Sequence, residues 1–195
     1  PDKTIEKQGA GAGHMKNPSL AREIIRATKE GAGDLPVSVK TRIGYNTNEL
    51  ETWLPELLAE DLAAITIHAR TRKEMSNVPA RWEHIKRAVE IRNELGYETL
   101  ILGNGDVKDL ADAEMKAKEA GCDGVMLGRA IFGNPWLFDS QKKEIALKLA
   151  QKTHTSTSVA EHQVPNLQVM FRKGSGNSIA EELELSEEEV EWLKG

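Results

Sequence analysis

The 195-residue sequence predicts an α/β fold on a parallel sheet, and three observations lead there. Short strand patterns recur at intervals of about 25 to 35 residues, each followed by a helical pattern, as a βα repeat requires. The first two strands carry one face that grows larger and more charged toward the C-terminal end. No G-x-G-x-x-G follows any strand, which argues against a dinucleotide-binding doubly wound sheet. Together these features specify the C-terminal half of a TIM (β/α)₈ barrel, where the inward residues at strand C-termini carry the chemistry, followed by a short partly helical tail.

The elements follow in order. "NPSLAREIIRATKEG" (17–31) reads as a helix opened by Asn17-Pro18 and ended by glycine. "PVSVKTR" (36–42) is a strand with Val37, Val39 and Thr41 on one face and Ser38, Lys40 and Arg42 on the other. In the helix after it, Leu50, Trp53, Leu54, Leu57 and Leu58 recur with helical spacing. "AAITIHAR" (63–70) alternates Ile65, Ile67 and Ala69 with Thr66, His68 and Arg70. It leads to a helix over 81–95 with a stripe of Trp82, Ile85, Val89 and Leu95. "TLILGNG" (99–105) leads to a helix opened by Asp106 and closed near Gly121. "GVMLGRA" (124–130) leads to "NPWLF", where Asn134 and Pro135 have the character of an N-cap and first helical residue.

Residues 1–150 are therefore expected to form a partial barrel of the last four βα units. Residues 151–195 are expected to form a polar linker and a short acidic helix, with a capping box from Ser186 to Glu189 ahead of Val190, Trp192 and Leu193. Half a barrel leaves two unpaired edges and an unfilled interior, so the chain is expected to be the C-terminal portion of a longer protein. That Pro1 is not an initiator methionine agrees with this expectation.

Composition narrows the function classes. No run of about 18 apolar residues is present, so no membrane span is expected. The N-terminus lacks the basic-then-apolar layout of a secretory signal. The single cysteine, Cys122, excludes an internal disulfide framework and suits a reducing cytoplasm. A net charge of −5 predicts no general affinity for nucleic acid, so any such binding requires a local basic patch. No metal site and no stable protein partner are expected.

The residues that carry chemistry lie at strand ends. Lys40 is either a snorkelling lysine or a cation held beside an electron-rich ring. His68, with Arg70, repeats that placement on the next strand, and a lone histidine there is otherwise structural. "GNGD" places Asn104, Gly105 and Asp106 after the third strand, where Asp106 both caps its helix and fixes the loop. Gly128-Arg129 follows the fourth strand: the glycine admits backbone N–H groups to a phosphate, and the arginine adds a bidentate charge. Counted from the C-terminal side, these two loops follow strands 7 and 8, which often form the phosphate cup of a barrel.

These strand ends, in this order, resemble the tRNA-dihydrouridine synthases. "PVSVKTRIGY" is similar to that family's Val-x-Lys-x-Arg-x-Gly strand, and "ITIHARTR" to its His-x-Arg-Thr-Arg strand. "GNGD" and "DGVMLGRAIFGNPWLF" resemble its two phosphate-end motifs, and the opening "PDKTIEKQGAGAG" the segment after its Gly-Cys-Pro motif. The resemblance covers about residues 1–140.

It implies an FMN enzyme that reduces uridines in tRNA to 5,6-dihydrouridine, with NADPH or NADH recharging the flavin. Lys40 and His68 would contact the flavin ring system, and Asn104, Gly105, Asp106, Gly128 and Arg129 would match positions around the phosphate end. Lys3, Arg42, Arg70 and Arg72 are weaker candidates for flavin-side or RNA contacts. The family's proton-donor cysteine would stand immediately before Pro1, so no catalytic residue is assigned within the chain and the 195-residue piece alone is expected to be inactive. Cys122, ahead of the last strand, lies at the wrong end of the barrel to replace it. Two other readings stay open: another FMN-dependent barrel oxidoreductase acting on a small molecule, and a catalytically dead RNA-binding piece.

Overall fold

Four parallel strands, paired in the order in which they occur in the chain, organise the protein in a computed structural model that describes residues 2–132, 134, 137 and 138. The strands are β1 (Ser38–Arg42), β2 (Ala64–His68), β3 (Leu100–Asn104) and β4 (Gly124–Met126). Sequential order without reversal is what a barrel wall requires, whereas a doubly wound sheet reverses at a switch point. The helices are α1 (Lys3–Lys7), α2 (Pro18–Ala32), α3 (Leu50–Leu58), α4 (Glu83–Glu94) and α5 (Leu110–Ala120), with a 3₁₀ segment over Gly11–Lys16. The chain divides into compact units at 1–128 and 129–195. Of the second unit the structure describes a 3₁₀ turn, Arg129–Ile131, and little beyond it. The helix expected from Pro135 and the linker and acidic tail of 151–195 lie outside the described residues.

The two faces of the strands separate as their alternation demands. Ile65 and Ile67 of β2 and Ile101 of β3 are wholly buried, together with Leu50, Leu54, Leu57 and Leu58 of α3 and Ile85 of α4. The α2, α3, α4 and α5 helices pack consecutively, so they form one layer over this apolar face. Trp53 ties the layers together, its Nε1 donating to Thr41 Oγ1 at 2.9 Å. The opposite face carries Lys40, Thr66, His68, Leu102 and Asn104. Strand register aligns Arg42 with His68 and His68 with Asn104, so three polar residues form one row at the C-terminal end.

Several boundaries differ from expectation, each for a local reason. The α2 helix runs through Gly31 and stops at Gly33, which adopts φ 60°. The α5 helix is capped by Asp109, whose carboxylate accepts from the Asp112 N–H at 2.8 Å, and not by Asp106. Leu95 falls one residue past α4 and is exposed, so the buried stripe is Ile85, Ala88, Val89 and Ile91. Gly121 closes α5 in the left-handed conformation, as expected. Among the described residues no helix is long and apolar enough to cross a membrane.

Candidate functional site

Three adjacent strands bring Lys40, His68 and Asn104 onto one polar face. Lys40 Nζ donates to Asn104 Oδ1 at 3.3 Å, while Asn104 Nδ2 donates to the Met126 carbonyl at 2.8 Å and braces β3 against β4. That long bond is the one hydrogen bond of the Lys40 ammonium among the described residues. Burial, and after it the neighbouring Arg42, pushes the Lys40 pKa down.

His68 stands among cations. Arg70 Nη1 lies 3.0 Å from His68 Nε2. A guanidinium only donates, so Nε2 must accept and the ring proton sits on Nδ1. Burial, then Arg42, Lys40 and Arg70, push the His68 pKa down to about 4, so the ring is neutral near pH 7. It offers a donor without bringing charge.

The loop after β3 is held by its neighbour rather than by its own helix. Arg70, only 3% exposed, donates Nη2 to Asp106 Oδ2 at 2.5 Å and Nε to the Val78 carbonyl at 2.6 Å. The same Asp106 oxygen accepts from the Ala80 N–H at 2.8 Å. Trp82 Nε1 donates to the Gly105 carbonyl at 2.9 Å. Gly105 has φ 123°, and a Cβ there would lie 2.8 Å from Ala80 Cβ. Gly103 admits the Trp82 ring, which would meet a Cβ at 2.4 Å. The loops after β2 and β3 therefore form one clamped unit.

The other predicted site residues are placed as follows. Arg42 Nη1 donates to the carbonyls of Thr71 at 2.9 Å and Met75 at 3.0 Å, pinning the loop after β2. Arg72 pairs with Glu6 of α1, donating Nε to Oε1 at 2.7 Å, and this bond holds the Glu6 carboxyl below its usual range. Lys3 opens α1, and its side chain lies outside the described residues. Gly128 ends the first unit and a Cβ there would meet nothing within 4 Å, while Arg129 opens the 3₁₀ turn of the second unit. Cys122 precedes β4, donates Sγ to the Gly124 carbonyl at 3.3 Å and is buried, at the strand end opposite the polar row.

Sequence reasoning missed Glu6, Tyr45, Trp82 and His14. A cavity of about 460 Å³ opens beside β1, walled by Ile24, Ile25, Trp53 and Leu57 of α2 and α3 and edged by Lys40 and His68. The His14 Nδ1 is buried and has no hydrogen-bond partner among the described residues. Among the described residues no group of three or more His, Cys, Asp or Glu could hold a metal ion.

A sequentially ordered parallel sheet with its polar groups gathered at the strand C-termini is the construction of a (β/α)-barrel enzyme. The chain matches the family described as dihydrouridine synthase over residues 1–186, and it belongs to that family. It is 45% identical over 149 residues to a probable tRNA-dihydrouridine synthase of Staphylococcus aureus (strain MRSA252), covering 76% of this chain and 45% of that protein. It is 43% identical over 149 residues to probable tRNA-dihydrouridine synthase 2 of Bacillus subtilis (strain 168), again covering 76% and 45%. The chain thus spans about half the length of these curated relatives.

Proposed function

We propose that the full gene product is an FMN-dependent tRNA-dihydrouridine synthase, reducing uridine in tRNA to 5,6-dihydrouridine with NADPH or NADH as reductant. The observation that carries this reading is the Lys40, His68 and Asn104 group on one face of three adjacent strand ends, in a chain of this family.

The group fits the polar edge of a flavin ring. The Lys40 ammonium is exposed and makes a single long hydrogen bond among the described residues, so an electron-rich ring edge would complete its pairing. His68 adds a neutral Nδ1–H, and Asn104 holds the Lys40 ammonium in place. Gly105 lets its loop close against Ala80 and His68, and Asp106 fixes that loop through Arg70 and Ala80. Bound there, the flavin would supply the hydride for C6 of the uracil. Cys122 is assigned no part in delivering the C5 proton. The target uridine must leave its stack to reach such a site, and the reaction belongs where tRNA and reduced nicotinamides are found, in the cytoplasm.

The test is mass spectrometry of nucleosides from unmodified tRNA treated with the full gene product, FMN and NADPH or NADH. The expected product is uridine carrying two additional hydrogens. Unchanged uridine after demonstrated flavin reduction would refute the reading.

A further inference from the structure

The loops after β1 and β2 run side by side, with the Arg72 N–H donating to the Gly44 carbonyl at 2.9 Å and the Lys73 N–H to the Tyr45 carbonyl at 2.8 Å. Cations crowd this corner, and most are already committed. Arg42 holds two backbone carbonyls, Arg70 holds Asp106 and Arg72 holds Glu6. The carboxylates are committed as well. Glu6 also accepts from the Tyr45 hydroxyl at 2.9 Å, Glu74 binds Arg81, and Glu49 accepts from the Tyr45 N–H at 2.8 Å.

Two exposed lysines beside Tyr45 are not spent in this way. Lys16 rests its Nζ 4.0 Å from the centroid of the Tyr45 ring. The Lys73 ammonium has no hydrogen bond or ion pair among the described residues. We propose that Lys16 and Lys73 are contacts to the phosphate backbone of tRNA at the mouth of the site, a proposal that rests on the tRNA reading above. Breaking an internal arginine pair to meet a phosphate would leave a carboxylate or carbonyl unpaired. A solvated ammonium instead meets the phosphate while condensed counterions are released from the RNA, which is favourable and salt-dependent. The aromatic ring between the loops keeps Lys16 on this rim without neutralising it. A net acidic chain thereby acquires the local basic patch that RNA binding needs.

The test uses the flavin-loaded full gene product with K16Q, K73Q and the double variant, measuring tRNA affinity across a salt series. Each substitution is expected to make the log–log salt dependence shallower by about one, and the double variant by about two. The affinity lost between about 50 and about 200 mM salt should shrink about 3–4-fold per lysine. K73R should restore the slope, and the rate of flavin reduction by NADPH should not change. An unchanged slope in the folded, flavin-loaded double variant would overturn the proposal alone. Slower flavin reduction with normal tRNA binding would also overturn it, assigning the lysines to the phosphates of the nicotinamide. A parent protein that binds no tRNA would overturn the functional reading and this proposal with it.

Discussion

Replacing Asp106 by alanine should release the clamp between the loops after β2 and β3. Arg70 is 3% exposed and among the described residues would keep only the Val78 carbonyl and the His68 ring as partners, while the Ala80 N–H would lose its acceptor. Removing one member of a buried ion pair costs about 3–5 kcal/mol. Asp106 is 35% exposed, so water reaches part of the vacated space and the expected loss falls to about 2–3 kcal/mol. Asparagine keeps one acceptor for the Ala80 N–H without the charge, and should cost about 1–2 kcal/mol. Denaturant unfolding of the full gene product measures both, with the slope unchanged and the midpoint lowered. A double-mutant cycle with Arg70→Met should give a coupling of about 1–3 kcal/mol. A loss below about 0.5 kcal/mol for Asp106→Ala, or additive single effects, would refute the clamp.

Three other outcomes follow from neighbouring geometry. Gly103→Ala should overpack the Trp82 ring and cost about 1–3 kcal/mol, read as a lowered denaturation midpoint; an unchanged midpoint would show that the ring is free to withdraw. His68 has a folded-state pKa near 4, below its ordinary value, so the unfolded chain binds more protons between about pH 4 and 6.5. His68 should therefore reduce stability as pH falls through that window, by about 1–2 kcal/mol after solvent screening, and contribute no pH dependence above it. Unfolding of His68→Gln against pH reads this as a flatter acid limb, and an unaltered limb would contradict it. Trp82→Phe removes the donor to the Gly105 carbonyl while keeping the ring, and should cost about 1 kcal/mol in the same assay; no loss would release Gly105 from the clamp.

The sheet was legible because its first two strands alternate apolar and polar residues. Ile65 and Ile67 could only face the helices once Thr66 and His68 were set on the other side, and the structure places them so. The row of Arg42, His68 and Asn104 follows from that alternation plus parallel register. The capping of α5 was not legible in the same way, since Asp106 and Asp109 are both competent N-caps. What decides between them is Arg70, 36 residues away, which captures the Asp106 carboxylate and leaves Asp109 to the helix. The Glu6, Tyr45 and Arg72 cluster joins residues 39 and 66 positions apart, and no local pattern announces such a contact. The Trp82 position was read as an apolar stripe residue. Its indole N–H reaches the Gly105 carbonyl only because Gly103 makes room for the ring.

If the polar row at these strand ends holds a flavin, as proposed, flavin titration of the full gene product and its Lys40→Met variant will show it. The protein should carry FMN, identified by its visible spectrum and by the mass of the released cofactor. Lys40→Met should weaken FMN binding about 10–100-fold, the equivalent of one charge-assisted hydrogen bond. A protein that neither carries nor takes up FMN, or a Lys40→Met variant that binds it as tightly as its parent, would contradict the account.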